Sequence, residues 1–100
     1  MIKVKKIVNT CSACPSQWEG LTYDNRQIYF RYRWSCLTVR IGEKDDMSKF
    51  GAVRGNYVFE LEYGNSGFDG SMDYETLKKL VAKKITLPNE ESDKVDWIEQ

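Results

Sequence analysis

The chain has no histidine, only two prolines in 100 residues, an odd three cysteines, no net charge and no long apolar run. Each shortage excludes something. Without histidine there is no Ser-His or Cys-His nucleophile pair and no imidazole acid or base. A closed structural zinc site needs four Cys or His ligands, and Cys11, Cys14 and Cys36 supply three. No stretch approaches the roughly 18 apolar residues of a membrane span. The N-terminal MIKVKKIVNT is charged but lacks the apolar core of a secretory signal. There is no Walker loop and no G-x-G-x-x-G. These absences point to a cytoplasmic protein that is not an enzyme, with no cofactor and no resident metal.

The zero net charge conceals an asymmetry. Residues 1–41 hold seven Lys/Arg against two Asp/Glu, and residues 42–100 hold eight against thirteen. A basic half followed by an acidic half suits an anion-binding face with a solvating tail, or two halves that pair within or between subunits. A chain this short buries about two-thirds of its unfolded surface, so a ligand or a second copy would add useful stability, and a homo-oligomer is expected. Neutral overall charge weakens counterion release, which disfavours long nucleic acid as partner.

Periodicity predicts a strand over Ile2–Val8 at a sheet edge, a loop over 9–16, and a short strand over Trp18–Tyr23. A turn follows at Asp24-Asn25-Arg26, with Asn25 suited to positive φ. Gln27–Ile41 reads as one long strand with a change of phase. Ile28, Phe30, Tyr32 and Trp34 share one parity and Leu37, Val39 and Ile41 the other. A β-bulge near Ser35-Cys36 would return both sets to one core face. Tyr29, Arg31 and Arg33 then point outward. Tyr57–Tyr63 alternates again, with Tyr57, Phe59 and Leu61 inward and Glu60 and Glu62 outward. After a weakly helical 47–53 and a glycine-rich loop at 64–70, a helix starts behind a Ser71 or Asp73 cap. It carries Leu77, Leu80, Val81 and Ile85 on one face and stops at Pro88. The expected fold is therefore α+β: an antiparallel meander of four to five strands with one or two C-terminal helices. Residues 1–88 form the domain, and 89–100 an acidic tail or short helix.

The densest chemistry lies in Cys11–Ile41, which contains two of the three Trp, all three Cys and four of the five Arg. Arg31 and Arg33, two residues apart on a strand, lie roughly 7 Å from each other. That spacing suits two phosphates, or a phosphate and a base edge, and guanidinium both forks onto phosphate and stacks on rings. The candidate ligand-binding set is Gln17, Trp18, Arg26, Tyr29, Arg31, Arg33 and Phe68. Trp18, Tyr29 and Phe68 would offer stacking surfaces and Gln17 an amide. Ordinary sheet surface, an anionic ligand and a protein partner are all compatible with this pattern. Cys11-x-x-Cys14 suits small buried residues at a turn, zinc shared across a dimer, or a redox pair.

The string Ala13-Cys14-Pro15-Ser16-Gln17-Trp18-Glu19-Gly20, with Tyr29-x-Arg31-Tyr32-Arg33-Trp34, resembles a family of short uncharacterised proteins of bacteriophages, prophages and Gram-positive bacteria. The resemblance covers about 30 of the 100 residues. Family members often have glycine where this chain has Asn25 and Ser35. More broadly, a small phage protein with arginine and aromatic residues around a pocket is similar to the anti-Thoeris sponges, which sequester a nucleotide immune signal without cleaving it. The resemblance implies an anti-defence sponge in the host cytoplasm, with a cyclic nucleotide or ADP-ribose derivative as its small anionic ligand. The competing expectation is an anti-CRISPR-like inhibitor of a host nuclease, using the acidic tail as a nucleic-acid mimic.

Overall fold

The computed structural model describes residues 1–11, 16–46, 55–64 and 72–91. The expectations for Cys14, residues 47–53, Phe68, Ser71 and the tail from 92 lie outside these residues. Six strands form one sheet: β1 (Ile2–Cys11), β2 (Ser16–Thr22), β3 (Gln27–Arg33), β4 (Cys36–Ile41), β5 (Asn56–Glu62) and β6 (Ile85–Thr86). Their order is β5-β4-β3-β2-β1-β6. The single helix among the described residues, α1 (Tyr74–Val81), has eight residues.

The α+β expectation is thereby corrected. The described chain is mostly β, with 54% in strands, and the sheet is mixed rather than a pure meander. Neighbours from β1 to β5 run antiparallel, but β6 joins β1 in parallel through Ile2↔Ile85 and Lys3↔Thr86. The helix is shorter than its apolar spacing suggests because Ile85 leaves it. Lys84 N–H closes a turn onto the Val81 carbonyl, and the Lys84 carbonyl accepts from Ile2 N–H at 3.1 Å. Two β-branched residues follow, and they suit a strand better than another helical turn. Among the described residues, no strand pairs with the outer edge of β1 beyond Lys3.

The expected bulge at Ser35-Cys36 is also corrected. Trp34 and Ser35 both have φ of 56°, so they form a tight two-residue turn of the type that suits a right-twisted hairpin. Gln27–Ile41 is therefore two strands, paired Ile28↔Ile41, Phe30↔Val39 and Tyr32↔Leu37. The two parity sets do share a core face, but the chain reverses to bring them there. Trp34, expected inward, sits on the turn and is 57% exposed.

A register shift does occur one strand further on. Between Val39/Phe59 and Arg40/Tyr57 the β5 strand carries an extra residue. This turns Tyr57, expected inward, out to 56% exposure, while Leu61 and Val58 pack on the core. β1 and β2 each run further than expected, into Cys11 and from Ser16.

One face of the sheet carries the core. Trp18, Phe30, Tyr32, Leu37 and Val39 from the strands meet Leu77 and Val81 of α1, all at most 1% exposed. The helix is capped by Asp73, whose carboxylate accepts from Thr76 N–H at 2.8 Å. Ser16 is fully buried where its hydroxyl accepts from Met72 N–H at 2.9 Å, fixing the approach to the helix. Residues 88–91 are tied back to this face. The Tyr74 hydroxyl donates to the Pro88 carbonyl at 2.6 Å, and the Trp18 indole N–H donates to Glu91 at 2.9 Å. No helix among the described residues is long and apolar enough to cross a membrane.

Candidate functional site

The opposite face of the sheet is polar, and strand pairing orders it in rows. One row runs Gln17, Arg31, Thr38, Glu60 from β2 to β5. The row below runs Glu19, Tyr29, Arg40, Tyr57, and the row above runs Arg33, Cys36, Glu62. Alternation along β3 thus brings Tyr29, Arg31 and Arg33 to one surface, as periodicity predicts, and pairing with Arg31 adds Gln17 of β2.

The other proposed ligand residues do not join them. Trp18 is 1% exposed and belongs to the core on the far side of the sheet. Its burial follows from pairing with Phe30, which carries it onto the core parity. Arg26 precedes β3 while Arg33 ends it, roughly 23 Å away along the strand. Its Nε donates to the Gly42 carbonyl at 2.9 Å, a loop-bracing role. Phe68 lies outside the described residues.

Arg31, Arg33, Trp34, Cys36 and Thr38 line a shallow depression of about 300 Å³. Trp34 is the member that sequence reasoning missed. Its signal was the parity change itself, which a two-residue turn explains as well as a bulge does. The Arg33 guanidinium carbon lies 5.0 Å from the centre of the Trp34 ring. Such cation–ring pairs contribute about 0.5–1 kcal/mol when exposed. Cys36 and Thr38 are small, so the floor between the arginines and β5 stays low.

Neither Arg31 nor Arg33 forms an ion pair among the described residues, where Lys78–Glu75 is the salt bridge present. The Nε of Arg31 is buried and has no hydrogen-bond acceptor among the described residues. An unpaired buried donor costs about 1–3 kcal/mol, more when the group is charged. Arg40, by contrast, is already engaged. Its guanidinium carbon lies 4.2 Å from the Tyr57 ring centre, and Nη1 donates to the Gly55 carbonyl at 3.3 Å.

Burial shifts three titratable groups on this face, Glu19, Tyr29 and Cys36, toward their neutral forms. Burial pushes the Tyr29 hydroxyl and the Glu19 carboxyl above their ordinary values, and Arg31 partly opposes the rise at Tyr29. Burial also raises the Cys36 thiol, with Glu60 and Glu62 adding to the effect. A thiol held protonated is a weak nucleophile and a weak metal ligand. Among the described residues, no three Cys, Asp or Glu converge to hold a metal ion.

A larger recess of about 690 Å³ lies between β1 and the chain after β6, beside Lys3, Lys5, Tyr23 and Pro88. It contains none of the residues that the sequence marks for ligand binding. No protein-family model, no curated protein and no solved structure matches this chain.

Proposed function

We propose that this protein is a non-enzymatic binder that sequesters a small anionic nucleotide-type ligand at the Arg31–Arg33–Trp34 depression. One observation carries the reading: two arginines without carboxylate partners among the described residues, one with a covered Nε unsatisfied by them, flank an exposed indole around a shallow cavity. An anion engaging the Arg31 guanidinium supplies the charge partner that the fold withholds. The Trp34 ring supplies a stacking surface for a base.

Binding rather than catalysis is favoured because the thiol at the site is held protonated and the chain has no histidine to activate it. The resemblance to phage and prophage proteins adds the biological sense. The ligand would be a cyclic nucleotide or ADP-ribose-derived immune signal in the host cytoplasm, captured by a homo-oligomer without being cleaved.

The test is a thermal-shift panel of cyclic nucleotides and ADP-ribose derivatives, followed by native mass spectrometry of the responding sample. A ligand at 100 times its Kd stabilises the fold by about 2.7 kcal/mol, enough to raise Tm by several degrees. Arg31→Ala combined with Arg33→Ala should abolish the rise. A flat response across the panel would falsify the proposal.

A further inference from the structure

The arrangement of charge around the depression constrains the ligand further, given the binding reading above. Each arginine row has the same order across the sheet: a cation on β3, a small neutral residue on β4 and a carboxylate on β5. The rows are Arg31–Thr38–Glu60 and Arg33–Cys36–Glu62. Neighbouring strands lie about 4.8 Å apart, so the carboxylates stand roughly 10 Å from the arginine positions across the floor. Glu60 and Glu62 are both exposed there.

The flank toward β1 is closed in a similar way. Glu19 pairs with Tyr29, directly beside the Gln17–Arg31 row. Along the sheet, the next cation, Arg40, is covered by Tyr57 and bonded to Gly55. Among the described residues, the cations lining the depression are therefore two, roughly 7 Å apart, with carboxylates on both sides. The cavity, about 300 Å³, sits at the small end of the range for small-molecule sites.

We infer that this face selects a ligand with one anionic group and one planar ring, of mononucleotide size, and that Glu60 and Glu62 exclude polyphosphates. This narrows the proposed ligands to single-phosphate nucleotides and drops the ADP-ribose derivatives. The anion sits against Arg31, and the ring lies over the low Cys36–Thr38 floor toward Trp34. A second or third phosphate extends past the arginine pair and meets the β5 carboxylates, where like charges repel. Thr38 offers a hydroxyl to the polar edge of the ring.

The test uses the full chain and titrates 3′,5′-cyclic AMP, 3′,5′-cyclic GMP, AMP, ATP and inorganic phosphate by calorimetry. At least one single-phosphate nucleotide should bind tenfold or more tightly than ATP. Glu60→Gln with Glu62→Gln should narrow that gap at least fivefold by strengthening ATP. Both side chains are solvent-exposed, so the variant should keep the wild-type Tm. Trp34→Ala should weaken the nucleotides tenfold while moving inorganic phosphate less than twofold. ATP binding as tightly as the single-phosphate nucleotides, or a gap unmoved in the double variant, overturns this inference and leaves the binding reading standing. Absence of binding by every probe overturns this inference, and a flat thermal-shift response to the ADP-ribose derivatives as well overturns the binding reading.

Discussion

Trp18 donates its indole N–H to a carboxylate oxygen of Glu91, 73 residues later in the chain, at 2.9 Å. The ring is 1% exposed, so this bond satisfies its polar atom at the rim of the core. Burial in the core also keeps the most conspicuous aromatic residue of the ACPSQWEG string off the polar face of the sheet. Glu91→Ala leaves the donor unpaired and should lower stability by about 1–3 kcal/mol. In a Trp18→Phe background the same change should cost close to nothing, which a double-mutant cycle by denaturant unfolding will read.

Gly20 is needed for closeness rather than flexibility. A Cβ there would stand 2.8 Å from the Lys6 carbonyl oxygen and 3.1 Å from Ile28 Cγ2. The carbonyl is backbone in the β1–β2 ladder and cannot move without breaking pairing. Gly20→Ala should destabilise by about 1–3 kcal/mol, with Tm falling roughly 4–8 °C per kcal/mol.

The Trp34–Ser35 turn makes a prediction about side-chain shape. With φ of 56° at Ser35, a β-branched residue is strained and glycine is not. Ser35→Val should be less stable than Ser35→Gly by roughly 1–2 kcal/mol. If the two variants melt together, the turn is not the one described.

Glu19 gives a pH signature on the polar face of the sheet. Burial raises its carboxyl above the ordinary value of 4.5, so ionisation costs more in the folded state than in the unfolded one. The resulting penalty is fully present above the folded value, fades as pH falls through it, and is absent below 4.5. Glu19→Gln should therefore raise Tm at pH 7, and the gain should vanish by about pH 4. A gain of equal size at both pH values would assign the effect to packing instead.

Much of the sheet was legible because strand alternation is a local property. Residues two apart on β3 share a face whatever the rest of the chain does, so Tyr29, Arg31 and Arg33 were separable from Ile28, Phe30 and Tyr32. Asn25 at φ of 64° and the Asp73 cap were legible for the same reason, since each depends on a few neighbouring residues. The errors lie where a distant partner decides. A bulge and a two-residue turn produce the same parity change at Ser35, and only pairing of β3 with β4 distinguishes them. Tyr57 follows a shift against Arg40, on a different strand.

Local pattern alone thus established a strand-rich chain with an arginine–tyrosine face, because side-chain direction in a strand is set by its own backbone. Tertiary structure decided the mixed character of the sheet, by taking Ile85–Thr86 from the helix to pair in parallel with Ile2–Lys3. It also decided which indole could meet a ligand. Trp18 and Trp34 have the same side chain, and the sequence pattern favoured the first. Pairing with Phe30 buries Trp18 in the core, and the hairpin tip presents Trp34 to solvent. Burial depends on what lies across the sheet, and residue type and local spacing do not contain it.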